Sequence, residues 1–391
     1  MAKRIPENAG INTRLAHGGN DPHEYHGFVN PPVVHASTVL FPNAATLASR
    51  QQKYTYGTRG TPTTDALAMA IDELEGSAGT IIVPSGLMAV VVPLLAFLSA
   101  GDHLLIVDSV YHPTRNFANS MLKRFGVEVE YYDPHIGAGL ASLMKPNTKV
   151  VFTESPGSNT FEVQDIPAIV EVAHAGGAIV MLDNTWATPL YFRALDFGVD
   201  ISIHAATKYP AGHSDVLLGT VSANEACWEK LSGTFNTLGS CAGPDDVYQV
   251  LRGLRTMGVR LERHQQTTLE IARWLEKQDG VAQVLYPALE SHPDHALWKR
   301  DFSGASGLFS VVLVGEGPKT SHAFLDALGI FGLGHSWGGY ESLAALVSLG
   351  DRTIAKGPYA GPLVRLQIGL EDVDDLKDDL ARGLAAARQV G

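Results

Sequence analysis

Ala178-Ile179-Val180-Met181-Leu182-Asp183 and, further along, Ile201-Ser202-Ile203-His204-Ala205-Ala206-Thr207-Lys208 decide the fold of this chain. Each opens with a short apolar run of strand length, and a helix-length connection lies between them. That spacing predicts parallel strands joined by a crossover. Outward from this pair, further strand-like runs stand at residues 80–83, 103–107, 127–131 and 149–153, again separated mostly by helix-length segments. The alternation predicts an α/β fold with a mainly parallel sheet and crossover helices. Ligands of such sheets gather beyond the carboxyl ends of the strands. Asp183 and Lys208 lie at or just past two of those ends, as do Ser85-Gly86 and Tyr111.

An ionised carboxylate closing an apolar strand is costly unless a cation faces it. A lysine placed after a second such strand can carry an imine to a carbonyl cofactor. Together they suggest pyridoxal phosphate (PLP), with Asp183 keeping the pyridine nitrogen protonated and Lys208 anchoring the aldehyde. Met with no context, such residues are more often a capping aspartate and a surface lysine. The surrounding sequence therefore has to carry the assignment.

Val83-Pro84-Ser85-Gly86-Leu87-Met88-Ala89 reads as a strand, a tight turn and a helix start. Free amides at a helix N-terminus, with a glycine that lets the backbone come close, form a phosphate cradle. Thr207 has a hydroxyl to offer to the same phosphate. Tyr111 follows a strand and is suited to stack on a planar ring. In Val364-Arg365-Leu366-Gln367-Ile368, alternation places Arg365 and Gln367 on the face opposite the apolar residues, where the guanidinium fork suits an α-carboxylate. An ordinary solvated arginine fits that pattern as well.

The 391 residues are too many for one ordinary domain, and 45% hydrophobic with 18% charged content is that of a globular protein. A formal charge of −12 without a basic run argues against nucleic acid and anionic membranes as partners. Cys227 and Cys241 provide neither a disulfide framework nor a CxxC motif, which predicts a reducing compartment. Residues 1–8 lack the apolar core of a secretory signal. The longest apolar run, residues 89–100, is broken by Pro93 and too short to cross a bilayer. A cytoplasmic protein is expected.

Gly334-His335-Ser336-Trp337-Gly338 satisfies the G-x-S-x-G pattern of serine hydrolases, but the chain has no histidine after His335 to complete a triad. Ser336 is therefore read as a hydrogen-bonding residue. His292-Pro293-Asp294-His295, and the pair His204 and His213, lack a metal-binding motif, and no metal is expected. No G-x-G-x-x-G follows a strand, and Lys319-Thr320 is preceded by Pro318 instead of the Walker glycine. The acidic run of residues 371–379 reads as the solvated start of a terminal helix whose Leu376, Leu380 and Leu384 share one face.

Three sections emerge. Residues 1–60, rich in Pro, Gly, His and Asn, read as an extended arm, 61–255 as the large domain and 256–391 as a smaller α+β domain. Six ordered segments then carry a resemblance: Tyr56-Gly57-Thr58-Arg59-Gly60-Thr61-Pro62-Thr63, Glu154-Ser155-Pro156-Gly157-Ser158, Asp183-Asn184-Thr185-Trp186, Ala206-Thr207-Lys208-Tyr209 with Gly212-His213-Ser214-Asp215, Ser336-Trp337-Gly338-Gly339-Tyr340-Glu341-Ser342, and residues 365–372. With them the chain resembles the Cys/Met-metabolism PLP enzymes, a branch of the aspartate-aminotransferase type I fold, from about Tyr54 onward.

The resemblance implies a catalytic Lys208 with Asp183 as its ring-nitrogen partner and Tyr111 as the stacking tyrosine, itself a catalytic residue. It implies that Gly86, Leu87 and Thr207 hold the phosphate, and that Ser336, Trp337 and Arg365 grip the α-carboxylate region of an amino-acid substrate. Tyr56, with catalytic and cofactor contacts, and Arg59, with a cofactor contact, reach into a neighbouring subunit's site in this family. A homo-oligomer with shared sites, a dimer of dimers, is implied. Two positions depart from the family pattern: Thr58 stands where an arginine is usual, with Arg59 next to it, and Ala205 replaces a frequent serine. Trp337 points to β-elimination at a carbon–sulfur bond, since relatives with γ-elimination or γ-replacement chemistry usually carry a smaller aliphatic residue there.

Overall fold

The computed structural model describes residue 6 and residues 8–390. Seven strands build the large sheet: β1 (Gly79–Val83), β2 (His103–Val107), β3 (Glu128–Tyr132), β4 (Thr148–Glu154), β5 (Ile179–Asp183), β6 (Ile201–His204) and β7 (Gly219–Ala223). Their order is β1-β7-β6-β5-β4-β2-β3. The run from β6 to β3 is parallel throughout. Every strand read from the sequence is present with ends shifted by one residue at most. Strand β7 was not expected. It enters between β1 and β6 antiparallel to both, so its start, near Leu217 and Leu218, lies at the end of the sheet where the parallel strands finish. Gly219-Thr220-Val221-Ser222-Ala223 is only weakly apolar, and no helix-length connection announces it.

Helices supply the cover. The helix Pro62–Glu75 starts with a reciprocal cap, Thr61 Oγ1 accepting the Thr64 N–H and Thr64 Oγ1 accepting that of Thr61, and stops at Gly76, whose φ of 71° favours glycine. Its apolar side, with Leu67, Ile71 and Leu74, packs against Val247, Val250 and Leu254 of the helix Pro244–Leu254. The helical pattern after Asp245 is thus two helices, Pro244–Leu254 and Met257–Leu275, with a break at Arg255-Thr256.

The smaller sheet runs β10-β11-β12-β9-β8, formed by β8 (Val281–Leu285), β9 (Leu308–Leu313), β10 (Gly332–Leu333), β11 (Leu343–Leu346) and β12 (Leu363–Gln367). One apolar core extends from Leu104–Val107 of the large sheet to Phe309 and Leu313 of the small one. The Trp186 Nε1–H donates to Leu308 O at 2.9 Å across that boundary. The terminal helix Val373–Arg388 buries Leu376, Leu380 and Leu384 as the spacing predicts. Asp379 corrects the reading of a wholly solvated acidic face: it is buried, and its carboxylate accepts the N–H groups of Gly329, Ile330 and Phe331. Among the described residues no helix is long and apolar enough to cross a membrane.

Candidate active site

Five parallel strands end around one cavity of about 270 Å³, which is lined by Ser85 and Gly86 after β1, Tyr111 after β2, Glu154 of β4, Asp183 of β5, and Ala205, Thr207 and Lys208 after β6. Residues on and around the smaller sheet, Leu308, His335, Trp337 and Arg365, close it. This is where an open α/β sheet places its ligands.

Lys208 reaches into the cavity. Its Nζ donates to Ser336 Oγ at 2.9 Å and stands 5.2 Å from the centre of the Trp337 ring. Burial, followed by the neighbouring Arg365, lowers its ammonium to about 8, against the opposing pull of Asp183. A buried lysine so tuned has far more free amine at neutral pH than an exposed one. Asp183 is held by one residue: Thr185 gives both its N–H (3.1 Å) and its hydroxyl (2.5 Å) to Asp183 Oδ1. The Thr185 hydroxyl also accepts the Ala205 N–H at 3.0 Å, tying the carboxylate to the segment that carries Lys208. Burial raises the Asp183 carboxyl, with Thr185, His204 and Lys208 opposing.

Glu154 lies beside Asp183, the two being paired across β4 and β5, and its Oε2 accepts the Tyr111 N–H at 2.7 Å. Burial and then Asp183 push its carboxyl well above the usual range. Two neighbouring carboxyls of this kind cannot both be ionised cheaply. The sequence reading quoted Glu154 without giving it a role. Its position at the end of an apolar strand, the same signal that singled out Asp183, was the available clue.

The helix Gly86–Phe97 starts at the cavity with Ser85 Oγ accepting the Met88 N–H at 3.2 Å. A Cβ on Gly86 would stand 2.5 Å from the Ala205 methyl, so glycine is required there by space. Gly86 and Leu87 both line the cavity, where a helix N-terminus favours an anion. Thr207 is differently engaged than expected: its hydroxyl donates to Leu218 O at 3.2 Å and accepts the Leu218 N–H at 3.0 Å. Its phosphate contact would need that hydroxyl to let go of the Leu218 carbonyl. The donor set fits PLP: an amine of lowered pKa, a buried carboxylate short of a cation, and a helix start without a side chain in its way.

On the opposite wall Arg365 faces the cavity from β12, and is not a solvated sheet residue. Nη1 donates to Asn159 Oδ1 at 3.3 Å and Nη2 to His335 O at 2.7 Å. Burial lowers its guanidinium to about 10. Asn159 and His335 had no role in the sequence reading, because nothing local marks them as partners of β12. Tyr111 is 46% exposed, and burial, then Asp183 and Glu154, raise its phenol. Tyr56 and Arg59 do not join these residues within one chain. They line a second, larger cavity of about 910 Å³ with Lys53, Asp65 and Trp228.

A family model described as Cys/Met metabolism PLP-dependent enzyme matches residues 12–385. The chain belongs to this family. A Rhizobium johnstonii relative named "Putative cystathionine beta-lyase" is 69% identical over 98% of each chain. The Escherichia coli protein named "Cystathionine beta-lyase MetC" is 43% identical over 96% of this chain and 98% of its own. A solved structure of cystathionine gamma synthase from Xanthomonas oryzae pv. oryzae, in complex with cystathionine, is 34% identical over 98% of this chain and all of its own, with a TM-score of 0.92. The type I fold expected from the sequence is the fold of the family, and PLP is its cofactor.

Proposed function

We propose that this family member is a carbon–sulfur β-lyase that takes L-cystathionine and water to homocysteine, pyruvate and ammonia. Bound in the cavity, PLP supplies a reactive carbonyl and a ring that accepts electrons. The remaining work belongs to the chain. Arg365 holds the substrate α-carboxylate, with Ser336 and Trp337 beside it. Lys208 would anchor the cofactor's aldehyde and, as an amine of lowered pKa, would take the proton from Cα. Asp183 would keep the ring nitrogen protonated, with Glu154 beside it at the end of the neighbouring strand. Tyr111 covers the ring, and Gly86 and Leu87 hold the phosphate.

The observation that carries β over γ chemistry is Trp337, whose ring stands 5.2 Å from Lys208 Nζ. The indole lines the cavity beside the proton-transferring amine, at the position where the family resemblance associates tryptophan with β-elimination. The keto acid released from L-cystathionine is the test. Pyruvate with homocysteine is expected, and 2-oxobutyrate with cysteine would refute the reading.

The proposal extends to assembly. Tyr56 and Arg59 of the partner subunit complete the site, Arg59 standing in for the arginine that Thr58 replaces, in a dimer of dimers. Two unpaired cysteines, Cys227 and Cys241, suit a cytoplasmic protein.

A further inference from the structure

One turn of the large domain, residues 157–162, is held between two arginines of the small domain. On the inner side, Asn159 Oδ1 accepts from Arg365 Nη1 at 3.3 Å. On the outer side, Arg352, only 4% exposed, donates from Nη1 to Glu162 Oε1 at 3.1 Å and to Ala355 O at 2.9 Å, and from Nη2 to Ser158 O.

The turn itself has little freedom. The Gly157 N–H donates to Glu162 O at 2.9 Å and the Phe161 N–H to Gly157 O at 3.1 Å, while the Thr160 hydroxyl caps Glu162 Oε2 at 2.7 Å. A Cβ on Gly157 would come within 2.5 Å of Ser109 Oγ and 2.8 Å of Glu162 Oε2. Asn159 sits in this turn with a φ of 69°, a left-handed conformation that asparagine tolerates better than most residues. The remaining support of the Arg365 fork is the His335 carbonyl.

We propose that Arg352 is a positioning residue for Arg365: by gripping Ser158 O and Glu162 it fixes the Asn159 amide against the guanidinium that meets the substrate carboxylate. The proposal rests on the reading of Arg365 as the carboxylate grip. Arg352 itself lines no part of the cavity, so it acts through the turn. A second fastening keeps the small-domain segment in place without it. Asp108 accepts the N–H groups of Thr353, Ile354 and Ala355 at 3.1 Å or less. Removal of the Arg352 fork therefore loosens the turn before it detaches the segment.

The test compares two amines that differ only by a carboxylate, L-alanine and ethylamine, binding to the PLP-loaded enzyme and followed by the cofactor's visible absorbance. In Arg352→Met the dissociation constant of L-alanine is expected to rise on the order of tenfold, the scale of a misplaced contact, while that of ethylamine holds within about twofold. A merely structural role would weaken both amines alike, and that outcome, or no change in either, overturns the proposal. Glu162→Gln keeps the volume and removes the charge, so it serves if Arg352→Met does not fold. An increase of about threefold for L-alanine alone is expected, and an unmoved value overturns the proposal. Arg365→Met separates the underlying reading: if the preference for L-alanine over ethylamine survives there, Arg365 is not the carboxylate grip and the role of Arg352 falls with it.

Discussion

Asp108 follows β2 and Asp183 ends β5, two strands that flank the same neighbour, β4, at the same end of one sheet, yet the fold treats them in opposite ways. Asp108 is fully buried and saturated. It accepts from Arg115 Nη2 at 2.6 Å, from the Thr353 hydroxyl at 2.8 Å and from three successive N–H groups of residues 353–355. Burial raises its carboxyl, but the N–H groups of Ala355 and Ile354, the Arg115 guanidinium and Thr353 outweigh that and bring it to about 2. Among the described residues Asp183 has only the two donors of Thr185, and burial keeps its carboxyl raised. A saturated carboxylate is a fastener between domains. One left short of donors, with a lysine near it, is prepared for a cation that arrives with the cofactor.

Substitutions should separate the two roles. Lys208→Ala is expected to keep the fold and lower turnover of L-cystathionine by at least about 10³-fold, since it removes both the anchor and the proton acceptor. Asp183→Asn should lower turnover on the order of 10²-fold while the thermal midpoint stays within a few degrees. Full activity in either variant breaks the assignment. Asp108→Ala should do the reverse in kind: it leaves the buried Arg115 with Asp351 at 3.7 Å in place of its nearer carboxylate and strands several N–H groups, at a cost of about 3 kcal/mol seen in the denaturant midpoint. Stability equal to the parent would remove the fastener from the account.

Titration sharpens the same contrast. In cofactor-free protein, labelling of Lys208 by an amine-reactive reagent should rise with a midpoint near pH 8, whereas exposed lysines react only at higher pH. A midpoint above pH 10 would mean that Lys208 is not tuned by its surroundings. The smallest effect concerns acid. Asp108 is held below its ordinary value of 3.8, so its stabilisation is complete above that pH and is lost as the pH falls toward 2. Asp108→Asn should lose less stability than the parent between pH 4 and pH 2, and parallel curves would contradict the linkage.

Much of the site was legible because its residues follow apolar strands. Tyr111, Asp183 and Lys208 each come just after a run whose length and composition mark it as a strand, and the sheet rule then brings them together. Arg365 was picked out by the alternation of its strand and Ser336 by the G-x-S-x-G pattern, while Trp337 was visible only through the family resemblance. Arg352 was not visible at all, since its partners lie in distant segments, and Asp108, which follows an apolar strand, gave no sign in sequence that residues 353–355 would saturate it. Strand β7 escaped for lack of an apolar run, and Asp379 because a buried, N–H-saturated carboxylate looks in sequence like any other acid of a helix's first turns. Tyr56 and Arg59 are motif residues whose place beside Lys208 depends on a second subunit.

Borohydride reduction of the purified, coloured enzyme tests the strand-end pair most directly. The visible absorbance should disappear, and the cofactor should become fixed to a single peptide with the label on Lys208. Loss of absorbance without a labelled Lys208, or a label on another lysine, would contradict the site built around Asp183 and Lys208.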